Sequence, residues 1–149
     1  MRNNISNFSH VYAGNPLDRG DVERRDEEWL AAKAKDSKSR FLPMSDLNVL
    51  IAGGSQEELG WLSFDDLTRL GVDGTAIFLG MNGIEAHFVV DISKNEGAVS
   101  ELRESTERRF EDVRTATEVL SGADSGIVAH ARAQVSWHAR NGFCAMCGQ

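Results

Sequence analysis

Residues Gly74–Ser93 read GTAIFLGMNGIEAHFVVDIS, and their pattern decides the fold. Asn82-Gly83 favours positive φ at both positions, as a two-residue type I′ turn requires. After it, Ile84, Ala86, Phe88, Val90 and Ile92 alternate with Glu85, His87, Val89 and Asp91. A period of two puts the first set on a buried apolar face and the second on a mostly polar face. Before the turn, Ile77, Leu79 and Met81 alternate as well. The stretch is predicted to be a β-hairpin, with His87 on the polar face as an exposed or hydrogen-bonded histidine.

Working towards the N-terminus, SFDDLTRLG reads as a short helix. Ser63 can cap it, Asp66 stands three residues on as in a capping box, and Gly71 suits the C′ position. RFLPMSDLNVLIAGG is predicted extended: Pro43 breaks any helix, and Leu47, Val49 and Ile51 alternate up to a turn at Gly53-Gly54. ELGWLS is the returning strand. AGGSQEELG follows a strand but lacks the G-x-G-x-x-G spacing, so it reads as a turn. A further helix is expected from about Asp21, where Asp21 can cap and Val22 and Trp29 share a face.

Working towards the C-terminus, the period changes. Val99, Leu102, Phe110, Val113 and Leu120 fit helical spacing. Glu104, Glu107 and Glu111 then fall on a solvated helix face. Gly122 interrupts, and a second helix is predicted from Asp124 or Ser125 to Asn141-Gly142. On it Ile127, Val128, Ala131, Val135 and His138 share a face flanked by Trp137. His130 and His138 share part of that face and read as packed side chains, while His10 is uninformative. The fold class is α/β (α+β): a sheet containing an antiparallel hairpin, with C-terminal helices packed on it.

The totals bound the function. The chain has 149 residues, 41% hydrophobic and 26% charged, enough for one domain with one core. No apolar run reaches membrane-spanning length, and the N-terminus lacks a signal-like apolar region. An intracellular, soluble protein is expected, with cytoplasmic or peroxisomal location open. A net charge of −7 disfavours a nucleic-acid surface. Beyond Asp124 no acid occurs while Arg132 and Arg140 do, too few charges to claim phosphate binding; they read as cations opposing a helix dipole.

NGFCAMCGQ carries both cysteines, Cys144 and Cys147, so a disulfide framework is not expected. Two thiols at this spacing can reach one Zn²⁺ from a tight turn, but zinc takes four ligands. Four readings stay open: half of a zinc ribbon completed elsewhere, a site completed by His138, a redox pair, or two free thiols. The redox reading lacks a following helix whose N-terminus would lower a thiol pKa.

ARAQVSWHARNGFCAMCGQ resembles the junction in NADH pyrophosphatases, the NAD⁺ diphosphatase branch of the Nudix hydrolases. Trp137, His138, Phe143, Cys144, Cys147 and Gly148 match it. YAGNPLDR, RRDEEWLAA, SRFLPM and IFLGMNGIEAHFVVDI are similar too, so the resemblance spans nearly the whole chain. It implies a Nudix-like domain over residues 1–140 and half a zinc ribbon over 141–149, with Cys144 and Cys147 as metal ligands. It implies a parent enzyme that cleaves NAD(H) to nicotinamide mononucleotide and AMP with Mg²⁺ or Mn²⁺, those ions belonging to a catalytic domain outside this chain. A homodimer and that catalytic domain are the implied partners.

The Nudix box reads G-x5-E-x7-R-E-U-x-E-E-x-G-U, with U aliphatic. RESTERRF is its only decoy. Arg103, Glu104 and Glu107 fit, but Arg108 replaces a glutamate, Phe110 the glycine, and Asn95 and Val89 stand where Glu and Gly are needed. An arginine among those ligands repels the metal. The chain is expected to be a non-catalytic, architectural domain, with no catalytic residue of its own. The alternatives are an interaction module whose two copies share one zinc, and a small thiol oxidoreductase.

Overall fold

The computed structural model describes residues 27–53, 56–72 and 76–140. Helix α1 spans Glu27–Ala34 and precedes strands β1 (Arg40–Ser45), β2 (Asn48–Ala52) and β3 (Glu58–Leu59). Helix α2 (Phe64–Leu70) leads to the hairpin β4 (Ala76–Asn82) and β5 (Glu85–Asp91). Then come α3 (Glu96–Glu104), β6 (Arg108–Glu111), α4 (Val113–Val119) and α5 (Gly122–Arg140). The predicted start of the first helix at Asp21 lies outside the described residues.

The strands form one six-stranded mixed sheet in the order β3-β2-β1-β5-β4, with β6 also on β2. β1 and β5 run parallel, from Arg40↔His87 to Met44↔Asp91. Helices cover both faces. Leu42, Val49, Ile51, Leu79 and Val89 pack with Ile127, Val128, Ala131 and Val135 of α5 on one side. Phe41, Leu50, Phe78, Phe88 and Val90 pack with Leu67 of α2 and Val99 and Leu102 of α3 on the other. This corrects the expectation of a polar face on β5: His87 and Val89 are both buried. A central strand flanked on both sides and covered by two helical layers has no solvent face.

The α2 signals hold. The Ser63 Oγ accepts from the Asp66 N–H at 3.1 Å, the Ser63 N–H donates to Asp66 at 3.0 Å, and Gly71 closes the helix in the left-handed region. The β4–β5 hairpin also forms, but its turn differs. Asn82 pairs with Glu85, so Gly83-Ile84 are the central residues, with Gly83 at φ 65° and Ile84 not positive. The double-positive pattern of a type I′ turn sits elsewhere, at Asp46 (φ 53°) and Leu47 (φ 65°), between Ser45 and Asn48. A leucine there costs on the order of 1–3 kcal/mol. Packing of the Leu47 side chain against the α5-side core offsets part of that.

β4 carries a bulge. Phe78 pairs with Phe88, but Gly80 rather than Leu79 pairs with His87. The extra residue reverses the facing of the rest of the strand, so Met81 packs on the α2–α3 side while Ile77 and Leu79 face α5. The predicted shared face of Ile77, Leu79 and Met81 is therefore broken. Gly80 has φ 153°, open to glycine and rarely to other residues.

β1 and β2 part after their turn, and residues Glu58–Leu62 wedge between them. Leu59 pairs with Ile51, while Phe41 and Leu62 exchange both backbone hydrogen bonds at 2.8 Å. Gly60 is required by this closeness: a Cβ there would stand 2.8 Å from the Leu50 Cγ. The long helix expected through Val99–Leu120 is instead helix, strand, helix. Phe110 pairs with Leu50 in β6, which fills the second edge of β2.

Candidate functional site

Cys144 and Cys147 lie outside the described residues; the helix that leads to them does not. α5 buries Ile127, Val128, Ala131 and Val135 against the sheet, with His130 also buried. Its last turn is exposed, because it extends past the apolar stripe. Trp137 is 51% exposed, and its ring meets that of His138 edge-on at 5.2 Å. The Arg140 Nη1 donates to the Ser136 Oγ at 2.6 Å. His138 therefore does not share the buried face predicted for it. Its exposure leaves it able to act as a ligand beyond the helix, whereas His130 is packed beside Gln134 at 3.5 Å. His10 lies outside the described residues.

The carboxylates of the decoy box do not converge. Glu104 ends α3, Ser105 is extended, Glu107 lies in the bend and Glu111 closes β6. They share no helix face, which corrects that expectation. Arg109, on β6, donates its Nε to Glu111 at 2.6 Å and its Nη2 to Glu57. The hydrogen bond from Arg109 holds the Glu57 carboxyl below its ordinary range. Asp112 caps α4 through the Thr115 N–H at 2.8 Å, which likewise holds its pKa down. Asp124, half-buried, is pushed up by burial and then by Glu58. Among the described residues, no three His, Cys, Asp or Glu side chains stand together as a metal site. This donor set does not fit a Mg²⁺ held by clustered glutamates.

His87 is a buried, perturbed base. It is 5% exposed, and its Nδ1 has no hydrogen-bond partner among the described residues. Trp61 meets the ring edge-on at 4.6 Å, and its Nε2 lies 3.7 Å from Glu85. Burial pulls its pKa below the ordinary value and Glu85 opposes this, so the imidazole is neutral near pH 7. The predicted exposed or satisfied histidine is thus buried and only partly satisfied. A period-two reading could not see the helical layer above it.

Among the described residues, concavities open on both sides of the sheet. One, about 610 Å³, lies under α1 and α2 and is lined by residues such as Leu30, Phe41, Phe64, Phe78 and Phe88. No titratable side chain lines it, so it offers neither acid–base chemistry nor metal ligands. The other, about 750 Å³, lies between the β1–β2 turn and helices α4 and α5. No helix among the described residues is long and apolar enough to cross a membrane.

A family model described as the NADH pyrophosphatase-like rudimentary NUDIX domain matches residues 38–137. The protein named NAD-capped RNA hydrolase NUDT12 from Homo sapiens is 25% identical over 181 residues, covering 99% of this chain. Its Macaca fascicularis counterpart is equally similar at 25%, and that of Pongo abelii is 24% identical. The chain spans 39% of the length of these relatives.

Proposed function

Because this chain belongs to the NADH pyrophosphatase-like rudimentary NUDIX family, we propose that it is the non-catalytic scaffold of a hydrolase of that kind. The parent protein would cleave the pyrophosphate of NAD(H), free or as a cap on RNA, as the relatives' name suggests. The scaffold's work is mechanical. α5 is fastened to the sheet through Ile127, Val128, Ala131 and Val135. Its free end carries the chain into Cys144 and Cys147, which would bind zinc together with ligands supplied by another segment or a second copy. Zinc at such a site fixes chain geometry and does no chemistry.

The observation that carries the non-catalytic reading is the dispersal of the acids: among the described residues no three of them stand together, and several have other partners. Phosphoryl chemistry of this class needs several carboxylates around a divalent ion. Here Glu57 and Glu111 are held by Arg109, and Asp112 and Asp66 by helix caps. Arg108 stands where the box has a glutamate ligand and would repel a cation.

Metal content and mass in solution test the structural half. With zinc added, the chain is expected to bind it in a form lost in Cys144→Ser and Cys147→Ser alike. A zinc-dependent dimer means that two chains pool their thiols; a zinc-bound monomer means that His138 or another ligand of the same chain completes the site. Zinc retained by both serine variants contradicts the assignment.

A further inference from the structure

The cleft of about 750 Å³ beside the β1–β2 turn is lined by Asp46, Leu47, Asn48, Asp112, Arg114 and Arg132, among others. Its size falls within the range of small-molecule sites. The fold brings to its lining two arginines that the sequence keeps apart, Arg114 from α4 and Arg132 from the middle of α5. Neither has a carboxylate within ion-pair distance among the described residues. Asp112 is spent: both its oxygens face Thr115, at 2.8 and 3.3 Å, and Arg114 only adds to the lowering of its pKa.

Among the described residues of the lining, that leaves two uncommitted cations, the carboxylate of Asp46 and the Asn48 amide. Asp46 is placed with care. Its backbone is in the left-handed region, and its N–H donates to the Ser93 Oγ at 2.7 Å. Ser93 is in turn held by Asp91 at 2.5 Å. The turn tip is therefore tied to the end of β5.

We propose that this cleft binds a small phosphorylated polyol. Two guanidiniums match the charge of about −2 and the three oxygens of a phosphate monoester, whereas a single carboxylate would neutralise only half of their charge. An acceptor-only carboxylate beside them repels a ligand that is anionic throughout. It suits one whose carbon skeleton carries hydroxyl donors. The proposal depends neither on the cysteine pair nor on the parent reaction.

The test titrates the 149-residue chain with glycerol 3-phosphate, inorganic phosphate and glycerol, by calorimetry and by amide shifts. Glycerol 3-phosphate is expected to bind saturably and glycerol not at all. Arg114→Ala and Arg132→Ala should each weaken binding by about tenfold or more. Both side chains are exposed, so both variants should fold; the lysine variants serve if they do not, and should bind with intermediate strength. Asp46→Asn should weaken glycerol 3-phosphate and spare inorganic phosphate. Absence of saturable binding, arginine variants that bind like the parent, or an Asp46→Asn variant that loses neither ligand selectively would overturn the proposal.

Discussion

The ring of Trp61 stands edge-on to the ring of His87, 4.6 Å between centroids and 75° between planes. Trp61 comes from the segment wedged between β1 and β2, and His87 from β5, the strand beside β1. The contact covers a buried imidazole whose Nδ1 has no partner among the described residues.

That arrangement makes stability depend on pH. Burial lowers the folded-state pKa of His87 from 6.5. Above that value both folded and unfolded chains are neutral at this position, and it contributes nothing. As the pH falls below it, the unfolded chain takes a proton that the folded chain refuses, and stability drops until the folded pKa is reached. The melting midpoint should therefore fall between about pH 7.5 and about pH 5.5. His87→Leu should remove part of this slope and be neutral or stabilising at the upper end, since it deletes an orphaned polar atom. Parallel losses in both proteins would contradict the account of His87.

Gly60→Ala tests the wedge. The new Cβ would meet the Leu50 side chain at 2.8 Å and the Leu50 carbonyl oxygen at 3.2 Å. Leu50 is fully buried and cannot swing away. The cost should be about 1–3 kcal/mol in denaturant unfolding. An unchanged midpoint would mean that the wedge is looser than described.

Ser63→Ala removes the capping box of a helix only seven residues long. The expected loss is about 1 kcal/mol. Because α2 packs Leu67 into the core with Phe41 and Phe88, amide exchange should speed up along α2 before it does along β5. Uniform acceleration throughout the chain would show that the cap stabilises the domain as a whole.

These elements also show what was readable beforehand. Ser63, Asp66 and Gly71 announced α2, because caps are local chemistry. The β4–β5 hairpin was plain from its period of two. What escaped notice depended on distant partners. Strand β6, RRFE, offers one apolar residue in four, and it is a strand because its backbone pairs with an edge of β2 far away in sequence. The type I′ turn at Asp46-Leu47 was hidden because leucine is a poor turn residue, and core packing rather than propensity holds it there. The bulge that reverses Met81 needs Gly80, but a glycine inside a strand does not announce which neighbour becomes extra.

The sites divide in the same way. The Cys144 and Cys147 pair stands out by its spacing but lies outside the described residues. His138 was readable as a helix residue but not as an exposed one, since that depends on where the sheet under α5 ends. The cleft between Arg114 and Arg132 has no signature in sequence at all. It arises where α4 and α5 together face the β1–β2 turn.

The most direct measurement of the central claim is turnover. The purified chain is incubated with NADH and either Mg²⁺ or Mn²⁺, and nicotinamide mononucleotide and AMP are separated and quantified. No release above the protein-free control is predicted, because among the described residues no three carboxylates stand together around a point where the ion could sit. Multiple turnovers per chain, persisting through further purification, would contradict it.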